Sequence, residues 1–341
     1  MTPRPHAQRL TPGPASALGR RAFLKAGLAA GAGALTGCEA GAERAAKSRV
    51  VEAHSEKVFA DGGGLDFRAT RHLVDAAVAR LVGETRATEA WKRLVGPDDV
   101  VGIKVNCLAG RRLSTRIEVV RAVADGVRRA GVKPERIVVW DRKLNDLVRA
   151  AYPVRDHSDF VCIGNDHRKY GYGGRLVLEG EIGSLFSRLV TRYCSVIINV
   201  PVFKDHDLAG VTLGLKSAFG AIHNPNKYHF ANLHQAIVDV NKVAALRKKT
   251  VLHLCDATFG CYHGGPTPSP RYIERLGTVY AARDPVALDF CAWQRIEALR
   301  KAKGQPPLAE AERKPDHIAI GARESLGTDE PTHMELVKLE V

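Results

Sequence analysis

The sequence predicts an α/β fold, with a mainly parallel sheet and helices on both faces. Three observations predict it. Short β-branched apolar runs recur along the chain, at residues 100–106, Ile137–Asp141, Val196–Val200 and 251–256, and such runs read as strands buried on both faces. Between them lie amphipathic stretches of helical period, among them Phe67–Val82, 115–130 and 233–248. Strand and helix therefore alternate, which is the pattern of a parallel sheet covered above and below.

Taken in order, the chain opens with a segment of a different kind. Gly19 to Lys25 reads GRRAFLK, the twin arginine and Phe-Leu-Lys of a twin-arginine export signal. The mildly apolar stretch after it, 26–35, is too short to span a bilayer and fits the h-region of a signal. Leu35-Thr36-Gly37-Cys38 resembles a lipoprotein box. Residues 1–37 are thus expected to be a signal peptide handled by the twin-arginine translocase, and 38–60 a tether. Residues 61–341 are expected to be a single α/β domain, held on the periplasmic or cell-surface side of a membrane through an acylated Cys38.

Within that domain, residues 67–82 are expected to be helical, followed by the strand at 100–106. Thr115 and Glu118 have capping-box spacing and predict a helix to about Ala130, ended by Gly131 at C′. A strand at 137–141, a short helix at 145–151 and a strand at 160–163 follow. Residues 166–174 read as a glycine-rich loop, and 185–193 as a helix. Beyond the Val196 strand, 209–221 and 233–248 read as helices. The strand at 251–256, a Gly/Pro loop at 259–270 and a short strand at 279–282 come next. Pro285 then opens a helix to about Lys303, with Asp284 as its N-cap. Residues 318–320 and 336–341 are expected to be edge strands.

Composition bounds the function. The chain has 341 residues, 45% apolar and 26% charged, with a formal charge of +14. Five basic groups and no acid lie in residues 1–37; without them the balance falls from +14 to +9. This moderate excess is spread along the chain with no aromatic-interleaved basic patch, so nucleic acid is not an expected partner. None of the seven cysteines forms a C-x-x-C pair, and most sit in apolar runs as small hydrophobes. A disulfide between Cys255 and Cys261 is conceivable in an oxidising compartment, but export in the folded state argues against a disulfide framework. No nucleophile-elbow or zinc-protease motif is present, and no glycine pattern is a nucleotide-binding fingerprint.

The chemistry is concentrated from Ser195 to His229. There an apolar strand runs into Pro201, expected to end it, and then into Lys204-Asp205-His206. Lys216 follows beside the packed stripe of a helix, and His223 and His229 lie in the next loop. Other expected strand ends carry Lys104 and Asn106, Asp141, and Asp256. In open α/β sheets, ligands bind beyond the carboxyl ends of the strands. Lys104 stands inside an apolar run, where a lysine must either pair with Asp141 or Asp256 or meet an anionic ligand.

VGIKVN, INVPVFKDH, GVTLGLKSAFG, GGP and ARDPVALD together resemble the domain of unknown function 362 family, in its twin-arginine-exported form. The resemblance covers about residues 95–330. It implies functional positions at Lys104, Asn106, Asp141, Lys204, His206, Lys216, His229, Asp256, Asp284 and Asp289, and little about activity. Some members carry an added iron–sulfur ferredoxin segment; the clustered cysteines such a segment needs are absent here. The expected site therefore has Lys104, Lys204 and Lys216 as an anion clamp and His206 as general acid or base. Asn106, Asp141, Gly264 and Gly265 are expected to contact a ligand or cofactor. His206, His229, Asp256 and Asp289 are the candidate ligands of a divalent or transition metal. Three readings stay open: an enzyme acting on a small anionic substrate, a cofactor- or metal-binding redox protein, and a non-catalytic ligand-binding lipoprotein.

Overall fold

Apolar runs that cannot be left in water decide where the sheet forms. The computed structural model describes residues 47–154 and 158–341; the expected signal segment and Cys38 lie outside them. The strands are β1 (Ser48–His54), β2 (Val101–Val105), β3 (Ile137–Asp141), β4 (Val161–Gly164), β5 (Tyr172–Glu179) and β6 (Ile182–Ser187), followed by β7 (Val196–Val200), β8 (Val202–His206), β9 (Gly210–Val211), β10 (Thr250–Cys261), β11 (Ile273–Ala282) and β12 (Met334–Glu340). The helices are α1 (Phe67–Val82), α2 (Ala87–Lys92), α3 (Ile117–Arg129), α4 (Leu144–Arg149) and α5 (Leu213–Ser217), then α6 (Leu233–Lys242), α7 (Ala244–Arg247), α8 (Pro285–Ala302) and α9 (His317–Arg323).

The main sheet runs β12-β1-β11-β10-β7-β2-β3-β4, with β8 and β9 branching from β10. From β10 through β4 every neighbour is parallel, whereas β11 is antiparallel to both β1 and β10. The fold is α/β with a mainly parallel sheet, as the alternation predicts. Each face carries its own apolar layer. Val51, Ile103, Val139, Ile198 and Leu254 pack on one side with residues of α1, α2 and α3. Val50, Val138, Ile197 and Cys255 pack on the other with α5, α6 and α8. Alternate residues of one strand thus feed two cores, which is why the central strands read as continuous apolar runs.

Several boundaries differ from expectation, for physical reasons. Part of the expected tether is strand β1, which lies between β11 and β12 with Val50, Val51 and Ala53 buried. The expected edge strand at 318–320 is helix α9, and residues 185–187 belong to β6, with a π-turn at Leu189–Tyr193 after it. The capping box is not formed: Thr115 Oγ1 donates instead to Val200 O and accepts from the Asn106 N–H. Gly131 does end its helix, at φ +105°. The helix expected at 209–221 starts only at Leu213, because Gly210–Val211 pair back onto β8. Residues 233–248 break at Val243 into α6 and α7. The strands β10 and β11 are longer than expected, since each is sheltered along an antiparallel pairing. Cys255 and Cys261 are both free thiols.

Candidate functional site

Pro201 does not end the run that starts at β7. It lacks an N–H, but its carbonyl accepts from the Asp256 N–H at 2.8 Å, so pairing to β10 continues and the chain re-enters the sheet as β8. The period-2 alternation of β8 then sends Lys204 and His206 to one side and Asp205 to the other. Lys204 and His206 line a cavity of about 310 Å³, together with Lys104, Asn106 and Asp141 from the ends of β2 and β3, Lys216 from α5 and His229 from the following loop. Asp205 instead accepts from the Gly265 N–H at 2.7 Å and pairs with Arg313 at 3.0 Å.

The lysines are held in different ways. Lys104 Nζ sits 3.0 Å from Asp141 Oδ1, and the Asp141 carboxylate also accepts from the Cys107 and Arg142 N–H groups, at 2.7 Å each. Room for Lys104 depends on Gly220, where a Cβ would come within 2.3 Å of Lys104 Cε. Lys204, fully buried, donates to Asn106 Oδ1 at 3.1 Å and Pro266 O at 3.3 Å. Burial pulls its pKa down to about 8. Lys216 has His229 Nε2 at 3.3 Å and lies 4.7 Å from the centroid of the Phe219 ring. Burial, with the charge of Lys204 added, pulls its pKa down to about 7.

The two histidines are oriented by backbone. His229 Nδ1 is 3.1 Å from Pro225 O, which places the ring proton on Nδ1 and leaves Nε2 as an acceptor toward Lys216. In His206, Nδ1 faces the N–H groups of Leu208 and Ala209 at 3.1 and 3.2 Å. Asp207 Oδ1 lies 2.9 Å from the same nitrogen and also accepts from the Leu208 N–H. Burial outweighs the Asp207 carboxylate and holds the His206 pKa down to about 4. The ring is therefore neutral near pH 7.

Of the residues picked from sequence, seven share this cavity: Lys104, Asn106, Asp141, Lys204, His206, Lys216 and His229. The others serve the backbone. Asp256 accepts from the Arg116 N–H and from Thr258. Asp289 accepts from the Gly214 and Leu215 N–H groups at the start of α5. Asp284 is the expected N-cap of α8, accepting from the Val286 and Ala287 N–H groups. Gly264 and Gly265 are not in the wall, although their neighbour Pro266 is. His223 is exposed, edge-on to Tyr172. The expected metal set is thus not assembled, since Asp256 and Asp289 are engaged elsewhere. Among the described residues no three His, Cys, Asp or Glu side chains are grouped to hold a metal ion. Sequence reasoning passed over Arg142, Asp146 and Asp207, which line the cavity; the first and last directly follow residues it did select.

A family model described as a domain of unknown function, DUF362, matches residues 101–294. The chain belongs to this family. The match runs from β2 into α8 and takes in every lysine and histidine of the cavity described above. The chain is also similar to a thylakoid-associated protein, sll1697, of Synechocystis sp., with 28% identity over 207 residues, 58% of this chain. It spans 62% of that relative's length.

Proposed function

We propose that this family member binds a small anionic substrate in the cavity between β2, β3, β8 and α5. One observation carries the reading: Lys204 and Lys216 are buried, face the same cavity, and have only neutral partners within hydrogen-bond distance. A buried ammonium without a counter-charge is costly, and an entering carboxylate or phosphate would offset that cost. His206 adds a neutral imidazole at the same wall, a group for proton transfer to the bound anion. The test is isothermal calorimetry with oxalate and inorganic phosphate at pH 6.5. Binding of either, weakened roughly tenfold to a hundredfold in Lys204→Met, is expected, as charge-assisted hydrogen bonds contribute about 1.5–3 kcal/mol. Absence of binding by both anions would remove the reading.

The same proposal places the cavity outside the cytoplasm, on a protein exported by the twin-arginine route and anchored through Cys38. Its support is the sequence GRRAFLK followed by Leu35-Thr36-Gly37-Cys38; a relative named as thylakoid-associated is in keeping with a place at a membrane. No helix of the described residues is long and apolar enough to cross one. Metabolic labelling with a radioactive fatty acid should mark the wild-type protein and not Cys38→Ala; an unlabelled wild type would exclude the anchor.

A further inference from the structure

The three lysines of the cavity differ in what can take their proton. Lys104 is paired with the Asp141 carboxylate at 3.0 Å and meets no imidazole. Lys204 donates to an amide oxygen and a peptide carbonyl, neither of which accepts a proton near neutrality. Lys216 alone among them meets an imidazole nitrogen, His229 Nε2 at 3.3 Å, and the Pro225 carbonyl fixes that nitrogen as the unprotonated one. The Phe219 ring beside Nζ gives this end of the cavity one apolar wall, and the volume of about 310 Å³ leaves room for a small organic acid.

We propose that Lys216 is an amine nucleophile that condenses with the carbonyl carbon of a small oxo acid, whose carboxylate is held by Lys204, to form a reversible imine. This rests on the anion-binding reading above and names the substrate class. The Lys216 ammonium passes one proton to His229 Nε2. The free amine then forms a C–N bond to the carbonyl carbon as the carbonyl π pair moves to oxygen, and a proton from nitrogen follows it to give the carbinolamine. The His229 imidazolium returns its proton to the hydroxyl, the C–O bond breaks, water leaves, and the nitrogen lone pair closes the C=N bond as a protonated imine. Lysine, carbonyl compound and water account for every atom and charge, and no oxidant or reductant is consumed.

The experiment is reductive trapping of the full chain with pyruvate and sodium borohydride, followed by peptide mass mapping. A reduced pyruvate adduct on Lys216 is expected, absent in Lys216→Arg, at least tenfold weaker in Lys204→Met and suppressed by oxalate. No adduct on the wild-type protein, or adducts scattered over surface lysines and unchanged in Lys216→Arg, would overturn the proposal. Oxalate calorimetry on the same preparation separates the two levels. Oxalate binding without an adduct overturns the imine and leaves the anion site standing; binding of neither oxalate nor phosphate overturns both.

Discussion

Lys204 and Lys216 set the pH behaviour of the cavity. Burial brings their pKa values to about 8 and about 7, while a lysine in the unfolded chain keeps its proton up to about pH 10.4. Between these limits the unfolded chain binds more protons than the folded one, so these groups make stability rise with pH from about 7 to 10. At pH 6 both ammoniums are charged and buried, and that is where they are most destabilising. Lys216→Met should therefore stabilise the ligand-free protein at pH 6 by roughly 1–3 kcal/mol, with the gain shrinking by pH 9. Urea unfolding at the two pH values measures it; a variant less stable than wild type at both would mean that the lysine is held by a contact the cavity does not show. The same protonation equilibria govern the ligand. Oxalate affinity should fall about tenfold or more from pH 6 to pH 9 as the two amines lose charge, which calorimetry across that range would read. His206, with its pKa down at about 4, stays neutral throughout and contributes no step.

At the scale of the element, β8 does the positioning, and it was the element hardest to see. Pro201 reads as a strand end, yet its carbonyl keeps the ladder to Asp256 intact. Lys204-Asp205-His206 was legible as a chemical cluster, but only its place on a strand tells that the middle residue points away. Asp205 anchors the loop whose Pro266 carbonyl receives Lys204. That loop comes so close that a Cβ on Gly265 would lie 2.1 Å from Asp205 O. Asp205→Ala would leave the mostly buried Arg313 without its counter-charge and the Gly265 N–H without its acceptor. A loss of about 3–5 kcal/mol is expected from breaking such a pair. Arg313→Met in the same background should recover part of it in a double-mutant cycle. A loss below about 1 kcal/mol in urea unfolding would show that the loop is secured by other contacts. Asp256 and Asp289 mark the complementary limit of sequence reading. A carboxylate that serves backbone N–H groups has the same sequence signature as one that faces a ligand, and only the fold around it tells them apart.

Over the whole molecule, the alternation of apolar runs and helical stretches made the parallel half of the sheet legible, because β2, β3 and β7 each carry their burial in their own residues. On the other side the strand at 279–282 and the edge strand at 336–341 were legible in part, but β1 was not, for a reason its residues show. Ser48–His54 has only three apolar residues among its seven, and its status as a strand depends on partners far along the chain. Val50 pairs with Ala282 on one side and Leu336 on the other. The Ser48 hydroxyl donates to Asp284, the cap of α8, and the Ser55 hydroxyl to Val341 O at 2.6 Å. The strand thus joins both chain-distant edges to the helix that covers them, and without it β12 would have no neighbour and β11 would lose one side of its pairing. A chain begun at Lys47 should therefore retain a cooperative thermal transition and oxalate binding. One begun at Ser55 should lose both, since the apolar faces of Val50, Val51 and Ala53 leave two cores open at once. Circular dichroism melting and calorimetry on the two truncations decide the point. A Ser55 start that still melts cooperatively would show that β10, β7, β2 and β3 hold the cavity without this edge of the sheet.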